Sequence, residues 1–585
     1  MTSRKPESKF SPLFGAVLIT LIFGFIQLPF SQFMADDFMQ LTMLEGVSPH
    51  TWTGPADLYT LADGNPGHMK ISKDEGAWQW FQDPQLKVKF FRPLTSLLLA
   101  LDHAVFGINP IGYGIHNILW FLSLVIAVGI IIKRLSRTPG RGGDSFFALP
   151  DPVCTWAIYI FALSGIHWYV VYWAACRHII IAGSIAAWSL SAYIKWREEG
   201  WKKGRIISVF GFITALFAGE TALAVLAYLL AYEIILPSRD LKAKLKNLSP
   251  FLVLVAVYLI FHKFAGYGAA AGAGYIDPLK ETLRFISTAP GHLIALAGSM
   301  FLGGHAELWL IPAVRPFVII AGSLLVVAVG FTIKKLVPYG DAKEIKTLLW
   351  FLTGSLLSLI PFSAVTPGAR LLVVPFVGCS VIIAFMFFHR PEIAREQKGF
   401  GVKSITLFCW FLMAVHLFIA PIQRLAGPAF AEKVFVQRLE KVLGEAEYNH
   451  EQPPQKLVFL VVPDFSIGLH SYYYLKLKRR PMPQSWWVLS WEKCDHRVVR
   501  SAENELELQL VGGSIKNSFL KEGTVVELSG MKATVLQVGE GGAKRIVFRF
   551  DRSLDDASIR FLAWQEGRLK HVQPPPVGES LLVRK

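Results

Sequence analysis

The chain has 585 residues, of which 53% are hydrophobic, 13% are aromatic and only 17% are charged. This balance excludes an ordinary soluble domain and predicts a protein that crosses a membrane several times. The net charge of +16 does not indicate a nucleic-acid partner. Most lysines and arginines stand in short clusters between apolar runs, which is a pattern typical of membrane proteins.

The first apolar run covers about residues 13–30 and is long enough for a helix that crosses a bilayer. No small-residue cleavage site follows it, so we expect a retained span and not a signal peptide. Two adjacent carboxylates, Asp36 and Asp37, come shortly after its end. Carboxylates are costly in hydrocarbon, so both should lie at or beyond the membrane surface.

Apolar runs separated by polar connectors predict about eleven transmembrane helices in all. Their approximate extents are 13–30, 113–132, 153–173, 178–194, 205–219, 221–236, 250–264, 314–333, 346–362, 371–388 and 404–421.

Every second connector is basic, and the N-terminus belongs to the same set. The residues are Arg4, Lys5 and Lys9; Lys133, Arg134, Arg137 and Arg141; Lys195, Arg197, Lys202, Lys203 and Arg205; Arg239, Lys242, Lys244 and Lys246; Lys334, Lys335, Lys343 and Lys346; and Arg390, Arg395 and Lys398. Positive charge collects on the cytoplasmic side. The pattern therefore predicts a cytoplasmic N-terminus, with the acidic pair and the C-terminal region on the outer face.

Two outer connectors are long, 31–112 and 265–312, and we assign both to a transmembrane domain covering 1–425. Within the first, Pro93 to Phe106 has leucines at helical spacing, as in a surface helix or a short span. The second begins with a Gly/Ala-rich stretch, 266–274, that is typical of a flexible loop. An amphipathic section follows, and the whole segment is either a mobile lid or a linker.

The tail, 430–585, changes to the period-two pattern of strands. Residues 457–462 read as a buried strand, 505–510 alternate, and 533–538 with 545–550 flank a glycine-rich turn. We therefore expect a separate, mostly β domain outside the cytoplasm, and find no catalytic group of residues in it.

Polar side chains gather at the predicted outer ends of the spans. Besides the acidic pair they are Arg92, Arg177, His178, Glu220, His305, Glu307, Arg315 and Arg370. A base together with arginines suits transfer from a lipid phosphate, because the base removes a proton from the acceptor and the cations stabilise the leaving phosphate. Arginine binds phosphate oxygens in pairs. The alternative for each arginine is simple snorkelling to the interface.

In this layout the chain resembles the GT-C class of membrane glycosyltransferases, which includes the protein O-mannosyltransferases and the aminoarabinose transferases. The similarity covers about residues 10–420. Its motifs are the acidic pair after the first span, Phe91-Arg92-Pro93-Leu94 with 107–113 and His116-Asn117, Gly219-Glu220-Thr221, and Arg370 after Pro361 and Pro367. Gly219 stands where similar proteins have lysine.

The resemblance implies that Asp36 or Asp37 is the general base, or a metal ligand if a divalent metal is used. Adjacent side chains point in different directions, so we expect one of the two to act and the other to be structural. Of the two, we favour Asp36 as the one that acts. The resemblance also implies that Arg92, Arg177, His178 and Arg370 face the donor phosphate. Glu220 is then expected to orient an arginine or the acceptor.

These expectations define a glycosyltransferase of the bacterial inner membrane that uses a polyprenyl-phosphate sugar on the periplasmic face. The acceptor, a protein, glycan or lipid, stays open. Two alternatives from other classes are a transporter for a lipid-linked glycan and a non-catalytic scaffold in envelope polysaccharide assembly. The ionisable residues cluster at span ends and not at midplanes, which counts against transport.

Overall fold

A computed structural model describes residues 11–49, 54–137, 146–236, 240–272 and 274–584. Of the basic residues named above, Arg4, Lys5, Lys9, Arg141 and Arg239 lie outside these ranges. The chain divides into two compact units. The first contains residues 1–32, 91–267 and 274–430, and the second contains 33–90, 268–273 and 431–585.

The first unit is helical. Its helices are Pro12–Gln27, Pro93–Phe106, Pro110–Arg134, Asp151–Leu163, Trp168–Tyr172, Arg177–Glu199, Lys202–Ala218, Ala222–Ile235, Leu241–Phe264, Thr282–Phe301, Arg315–Leu336, Ala342–Leu359, Pro375–Glu396, Phe400–Ala414 and Ala420–Ala431. Small residues allow close packing between them. At Gly298, an added Cβ would come within 2.6 Å of the Gly322 Cα on a neighbouring helix.

The helical membrane fold expected from the sequence is confirmed, but the count of eleven spans is not. Within the described ranges, nine helical segments are long and apolar enough to cross a bilayer. The helices that correspond to predicted spans 205–219 and 221–236 have only 17 and 14 residues. Their lengths are at or below the lower limit for a single crossing.

The second unit contains three sheets. Its strands are Thr60–Asp63, Lys87–Lys89, Gly268–Ala270, Lys456–Val461, Ser485–Val488, Asp495–Ala502, Glu505–Val511, Val525–Leu528, Met531–Gly539, Gly542–Phe550, Ile559–Gln565, Arg568–His571 and Ser580–Val583, and its helices are Asp36–Leu44, Pro66–Asp74, Arg438–Gly444 and Phe465–Leu477. The largest sheet has six antiparallel strands.

The strand prediction for the tail is confirmed. Lys456–Val461 is buried along its whole length, as its apolar run indicated, and it pairs in parallel with strands on both sides. Met531–Gly539 and Gly542–Phe550 form the predicted hairpin. The helix Phe465–Leu477 was not predicted, because its apolar residues surround the helix axis without a clear polar stripe.

The first long connector belongs with the second unit and not with the helical one. Residues 33–90 cluster with the tail, whereas the sequence analysis assigned them to the transmembrane domain. The physical reason is apolar burial. Trp80 is 1% exposed, packs against Phe548 with ring centroids 5.2 Å apart, and donates a hydrogen bond to the Leu489 carbonyl at 3.0 Å. The connector therefore supplies part of the β domain's core.

Part of the Gly/Ala-rich stretch after residue 265 forms a strand, which corrects the expectation of a flexible loop. Gly268–Ala270 is the third strand of the small sheet and pairs with Lys87–Lys89. Backbone pairing with a neighbouring strand does not depend on side chains, so composition alone misses it. The amphipathic section that follows forms the helix Thr282–Phe301.

Candidate active site

Arg92 occupies a helix start in the first unit. It precedes Pro93, which opens the helix Pro93–Phe106, and its side chain is 7% exposed. One turn later the Thr95 hydroxyl donates to the Ala218 carbonyl at 2.7 Å. This bond ties the helix to the end of Lys202–Ala218 and so brings Arg92 close to Glu220.

Glu220 binds Arg92 with both carboxylate oxygens. The Arg92 Nε donates to Oε2 at 2.9 Å, and Nη2 donates to Oε1. This two-pronged geometry fixes the plane of the guanidinium. The Glu220 side chain is 34% exposed, so the pair is accessible from one side. The sequence analysis expects Glu220 to orient an arginine or the acceptor, and that role stays a prediction.

His178 lies on the other side of Arg92. Its Nδ1 is 3.4 Å from the Arg92 Nη1 and 3.1 Å from the Ala175 carbonyl oxygen. A guanidinium can only donate and a carbonyl can only accept, so Nδ1 serves one of these contacts at a time. The tautomer of the ring therefore decides whether Nδ1 accepts from Arg92 or donates to the Ala175 carbonyl.

Glu220 stays ionised in this setting. Burial alone would raise the pKa of Glu220, but the charge and the hydrogen bonds of Arg92 outweigh it and lower the pKa to about 2. Because the folded-state pKa is depressed, the pair stabilises the protein fully above the unfolded pKa of about 4.5 and loses this effect as pH falls toward 2.

We therefore expect the stability difference between wild type and Glu220→Gln to be constant from about pH 7 to about pH 5.5 and to shrink below about pH 4.5. The measurement is the thermal midpoint of both proteins in detergent across this range. A difference that is already lost near pH 6 would contradict an ionised, arginine-bound Glu220.

Arg370 is a cation of the first unit that lies near Glu307 without a direct ion pair to it. It is half-buried in the short helical turn Ala369–Leu372, and within the described ranges its guanidinium makes no hydrogen bond or ion pair. Glu307 is near enough to act on its charge, but the Glu307 Oε1 instead accepts from the Ala369 amide at 2.6 Å. The Arg370 charge also acts on the His178 ring, which gives that histidine a second neighbouring cation.

Arg177 is set differently from the other predicted phosphate ligands. Its side chain has 0% exposure, and its Nη1 forms an ion pair with Asp102. A second donor, Nη2, reaches the Tyr113 carbonyl at 3.2 Å. A ligand has no access to this guanidinium, so its arrangement fits a role in holding the start of Arg177–Glu199, where His178 follows.

His116 completes the surroundings of Asp102. Its Nδ1 is 2.6 Å from the Asp102 Oδ1, and its Nε2 is 2.9 Å from the Trp120 indole nitrogen. An indole N–H can only donate, so Nε2 accepts and the proton of a neutral His116 lies on Nδ1, which donates to Asp102. Asp102 is thus held from two sides and is 3% exposed.

Removing Asp102 should be costly, because Arg177 would then remain buried without a counter-charge. We expect Asp102→Ala to lower the free energy of unfolding by about 3–5 kcal/mol, and the double change Asp102→Leu with Arg177→Met to recover most of that loss. Denaturant unfolding in detergent gives both values. Arg134→Gln breaks the more exposed pair with Glu199 and should cost at most about 1 kcal/mol. A loss at Asp102 no larger than at Arg134 would contradict the buried-pair account.

The acidic pair opens the helix Asp36–Leu44 in the second unit. Ala35, just before it, has φ of +50°, a conformation that L-residues adopt at a cost. Asp37 is 1% exposed, and its Oδ2 accepts from the Met34 amide at 3.0 Å. Asp36 is the more exposed of the two. The structure therefore gives Asp37 a structural task at the helix start, and a catalytic role for Asp36 stays a prediction.

Several buried polar residues of the first unit were not singled out by the sequence analysis. Arg424 is 1% exposed, donates to the Ala162 carbonyl and lies over the Phe23 and Phe121 rings at 5.4 and 4.6 Å. It contacts the last turn of Asp151–Leu163, where a cation suits the helix end. An arginine inside an otherwise apolar segment was the available signal.

Among the described residues, His, Cys, Asp and Glu side chains do not form a group of three that could hold a metal.

Similarity to known proteins was found among solved structures. No protein-family model matches the chain, and no curated protein matches it. Among solved structures, ArnT from Cupriavidus metallidurans in the apo state is similar with a TM-score of 0.38 and 11% identity, covering 78% of this chain and 83% of that one. The same protein bound to undecaprenyl phosphate gives a TM-score of 0.34 and 11% identity, covering 78% and 84%.

Both matches are structures of ArnT, and both TM-scores lie below 0.5. The candidate function therefore depends on the residues of the site.

Proposed function

We propose that this chain is a membrane glycosyltransferase that moves a sugar from a polyprenyl-phosphate donor to an acceptor hydroxyl. The observation that carries the proposal is the arginine arrangement of the first unit. Arg92 is held in a fixed plane by Glu220, and Arg370 has no direct ion pair among the described residues. A guanidinium held in a fixed plane and one with no direct ion pair among the described residues suit a phosphate with several oxygens.

Their place in the helical unit suits a lipid donor. Arg92 and Glu220 lie in connectors that adjoin apolar helices, and Arg370 lies between the segments Ala342–Ala364 and Pro375–Glu396. Side chains at such positions reach the headgroup level of a bilayer. A donor with its tail in the hydrocarbon presents its phosphate at this level. A water-soluble nucleotide sugar would not require a site at the headgroup level.

The proposed reaction is a single displacement with inversion. The acceptor oxygen forms a bond to the anomeric carbon of the sugar, and the bond from that carbon to the phosphate oxygen breaks. Asp36 takes the acceptor proton, and the bonding electrons leave with the polyprenyl phosphate. Arg92 and Arg370 stabilise the charge that develops on the leaving oxygen.

Four predicted residues take supporting parts in this proposal. Glu220 orients Arg92, the His178 ring lies between Arg92 and the Ala175 carbonyl, and Arg177 holds the helix start through Asp102. Asp37 keeps the backbone around Asp36 in place. If a divalent metal takes part, Asp36 or Asp37 would supply a carboxylate ligand.

The test is release of polyprenyl phosphate from synthetic polyprenyl-phosphate sugars by the purified protein in lipid. Wild type is compared with Asp36→Asn and Asp37→Asn, each with and without a chelator, against a panel of acceptors. Release by wild type and not by Asp36→Asn supports the enzyme, and the chelator arm shows whether a metal is needed. Folded wild type without turnover on the whole panel would favour the scaffold alternative.

We further propose that the protein resides in the bacterial inner membrane with the N-terminus in the cytoplasm and the β domain in the periplasm. The alternation of basic connectors supports this orientation. Cysteines introduced at exposed Lys398 and Lys521 should be labelled by an impermeant thiol reagent from opposite sides. Labelling of both from one side would contradict the orientation.

A further inference from the structure

A groove on the first unit lies apart from the candidate active site. It is formed where the segment Pro375–Glu396 ends and Phe400–Ala414 begins, and its volume is about 740 Å³. Two lysines, Lys398 and Lys403, stand among apolar lining residues that include Phe400, Leu407 and Trp410. The groove therefore combines positive charge and an apolar wall at the end of two apolar helices.

The apolar wall is exposed and held in shape. Leu407 is 71% exposed and Trp410 is 52% exposed. The Arg390 guanidinium lies 4.5 Å from the Trp410 ring centroid and also donates to the Phe387 carbonyl. This cation–π contact engages the Arg390 guanidinium and holds the Trp410 indole in place.

The side-chain amines of both lysines are open to a ligand. Both residues are exposed, and within the described ranges neither side chain makes a hydrogen bond or an ion pair. The nearby carboxylates are engaged elsewhere, since Glu392 pairs with His389 at 2.5 Å and Glu396 accepts from the Tyr339 hydroxyl.

Three arginines at other helix ends of the first unit do have a carboxylate partner. Arg134 pairs with Glu199, Arg137 with Asp341 and Arg197 with Glu233. In the groove, a third polar group also lacks a partner. The Thr406 Oγ1 is buried and has no hydrogen-bond partner within the part of the chain that the structure describes.

We propose that this groove binds one anionic glycerophospholipid. Its phosphate lies against Lys398 and Lys403, and an acyl chain runs along Leu407 and Trp410. Charge complementarity selects an anionic headgroup over a zwitterionic one. The apolar wall selects a lipid over a soluble phosphate, because a small anion leaves Leu407 and Trp410 uncovered. The site is separate from the proposed transfer reaction and does not depend on it.

The experiment is native mass spectrometry of the full-length protein with phosphatidylglycerol or phosphatidylcholine added in equal amounts. The test variant is Lys398→Gln with Lys403→Gln. The matched control is Lys242→Gln with Lys246→Gln, which removes two exposed lysines from a helix that does not contribute to the groove. A third variant, Leu407→Ser, reduces the apolar wall without changing charge.

We expect wild type to retain one phosphatidylglycerol molecule in preference to phosphatidylcholine. The Lys398/Lys403 variant should lose about tenfold in phosphatidylglycerol affinity, since each lysine near an anionic lipid contributes measurably to binding. The Lys242/Lys246 variant should bind as wild type does, and Leu407→Ser should weaken both lipids. Addition of inorganic phosphate should not displace the lipid.

Either of two results with the lysine variants would overturn the proposal, and so would a third result with inorganic phosphate. One is equal retention of phosphatidylglycerol by wild type and the Lys398/Lys403 variant. The other is an equal loss in the Lys242/Lys246 control, which would show that the lysines act only through overall charge. Competition by inorganic phosphate at millimolar concentration would also reject the lipid as the occupant.

Discussion

Arg92→Gln should lower the turnover of a polyprenyl-phosphate sugar by about 10²–10³-fold. The expected reason is loss of the guanidinium that stabilises charge on the leaving phosphate, and removal of one such donor has effects of this size in other enzymes. The loss should appear mainly in kcat, because the leaving oxygen gains most of its charge in the transition state. Initial rates of polyprenyl phosphate release at several donor concentrations give this separation.

Two controls make the Arg92 result specific. Arg134→Gln removes an arginine of another ion pair and should leave turnover within about twofold, as expected of a partly exposed pair. Glu220→Gln keeps Arg92 but removes the charge that orients it, so a smaller loss is expected. Turnover of Arg92→Gln that matches Arg134→Gln, with unchanged thermal midpoints, would reject Arg92 as a phosphate ligand.

The two aspartates should separate into a catalytic and a structural residue. Asp36→Asn is expected to lower turnover by about 10²–10⁴-fold, the usual effect of removing a general base, with little change in stability. Asp37→Ala leaves the Met34 amide without its acceptor and should cost about 1–3 kcal/mol of unfolding free energy, because that amide is buried by its surroundings. Rates and denaturant unfolding are measured on the same preparations.

The reverse pattern would contradict this division. If Asp37→Asn abolished turnover in a protein as stable as wild type while Asp36→Asn kept its activity, Asp37 would be the base. Asparagine retains an oxygen that accepts from the Met34 amide. The Asn and Ala variants of Asp37 together therefore distinguish loss of charge from loss of the hydrogen bond.

The sequence predicted the helical unit well because apolar length is a direct physical requirement of a membrane span. It also gathered Arg92 and Glu220 among the polar residues at the outer span ends, but it did not pair them with each other. An acid between two apolar runs needs a partner. In the first unit that partner is Arg92, which the Thr95 bond to Ala218 brings close to Glu220. The strands of the tail were also predictable, because the alternation of apolar and polar residues at 505–510 indicates a half-buried strand.

Pairings between distant segments were not predictable. Asp102 interrupts an apolar helix, but the sequence does not show that its counter-ion is Arg177, 75 residues away. Arg177 was therefore expected to face a ligand. Likewise, the sequence does not show that Trp80, in the first long connector, is buried in the β domain's core. Both cases depend on tertiary contacts that local composition does not contain.

The most direct test of the central claim is equilibrium binding of polyprenyl phosphate, the proposed product, to wild type, Arg92→Gln/Arg370→Gln and Arg134→Gln in nanodiscs. The account predicts that the Kd of the double variant rises by about 30-fold or more, as expected when two charge-assisted contacts to phosphate are lost, and that Arg134→Gln binds as wild type does. Equal Kd values for all three folded proteins would contradict the claim that these arginines hold a lipid phosphate.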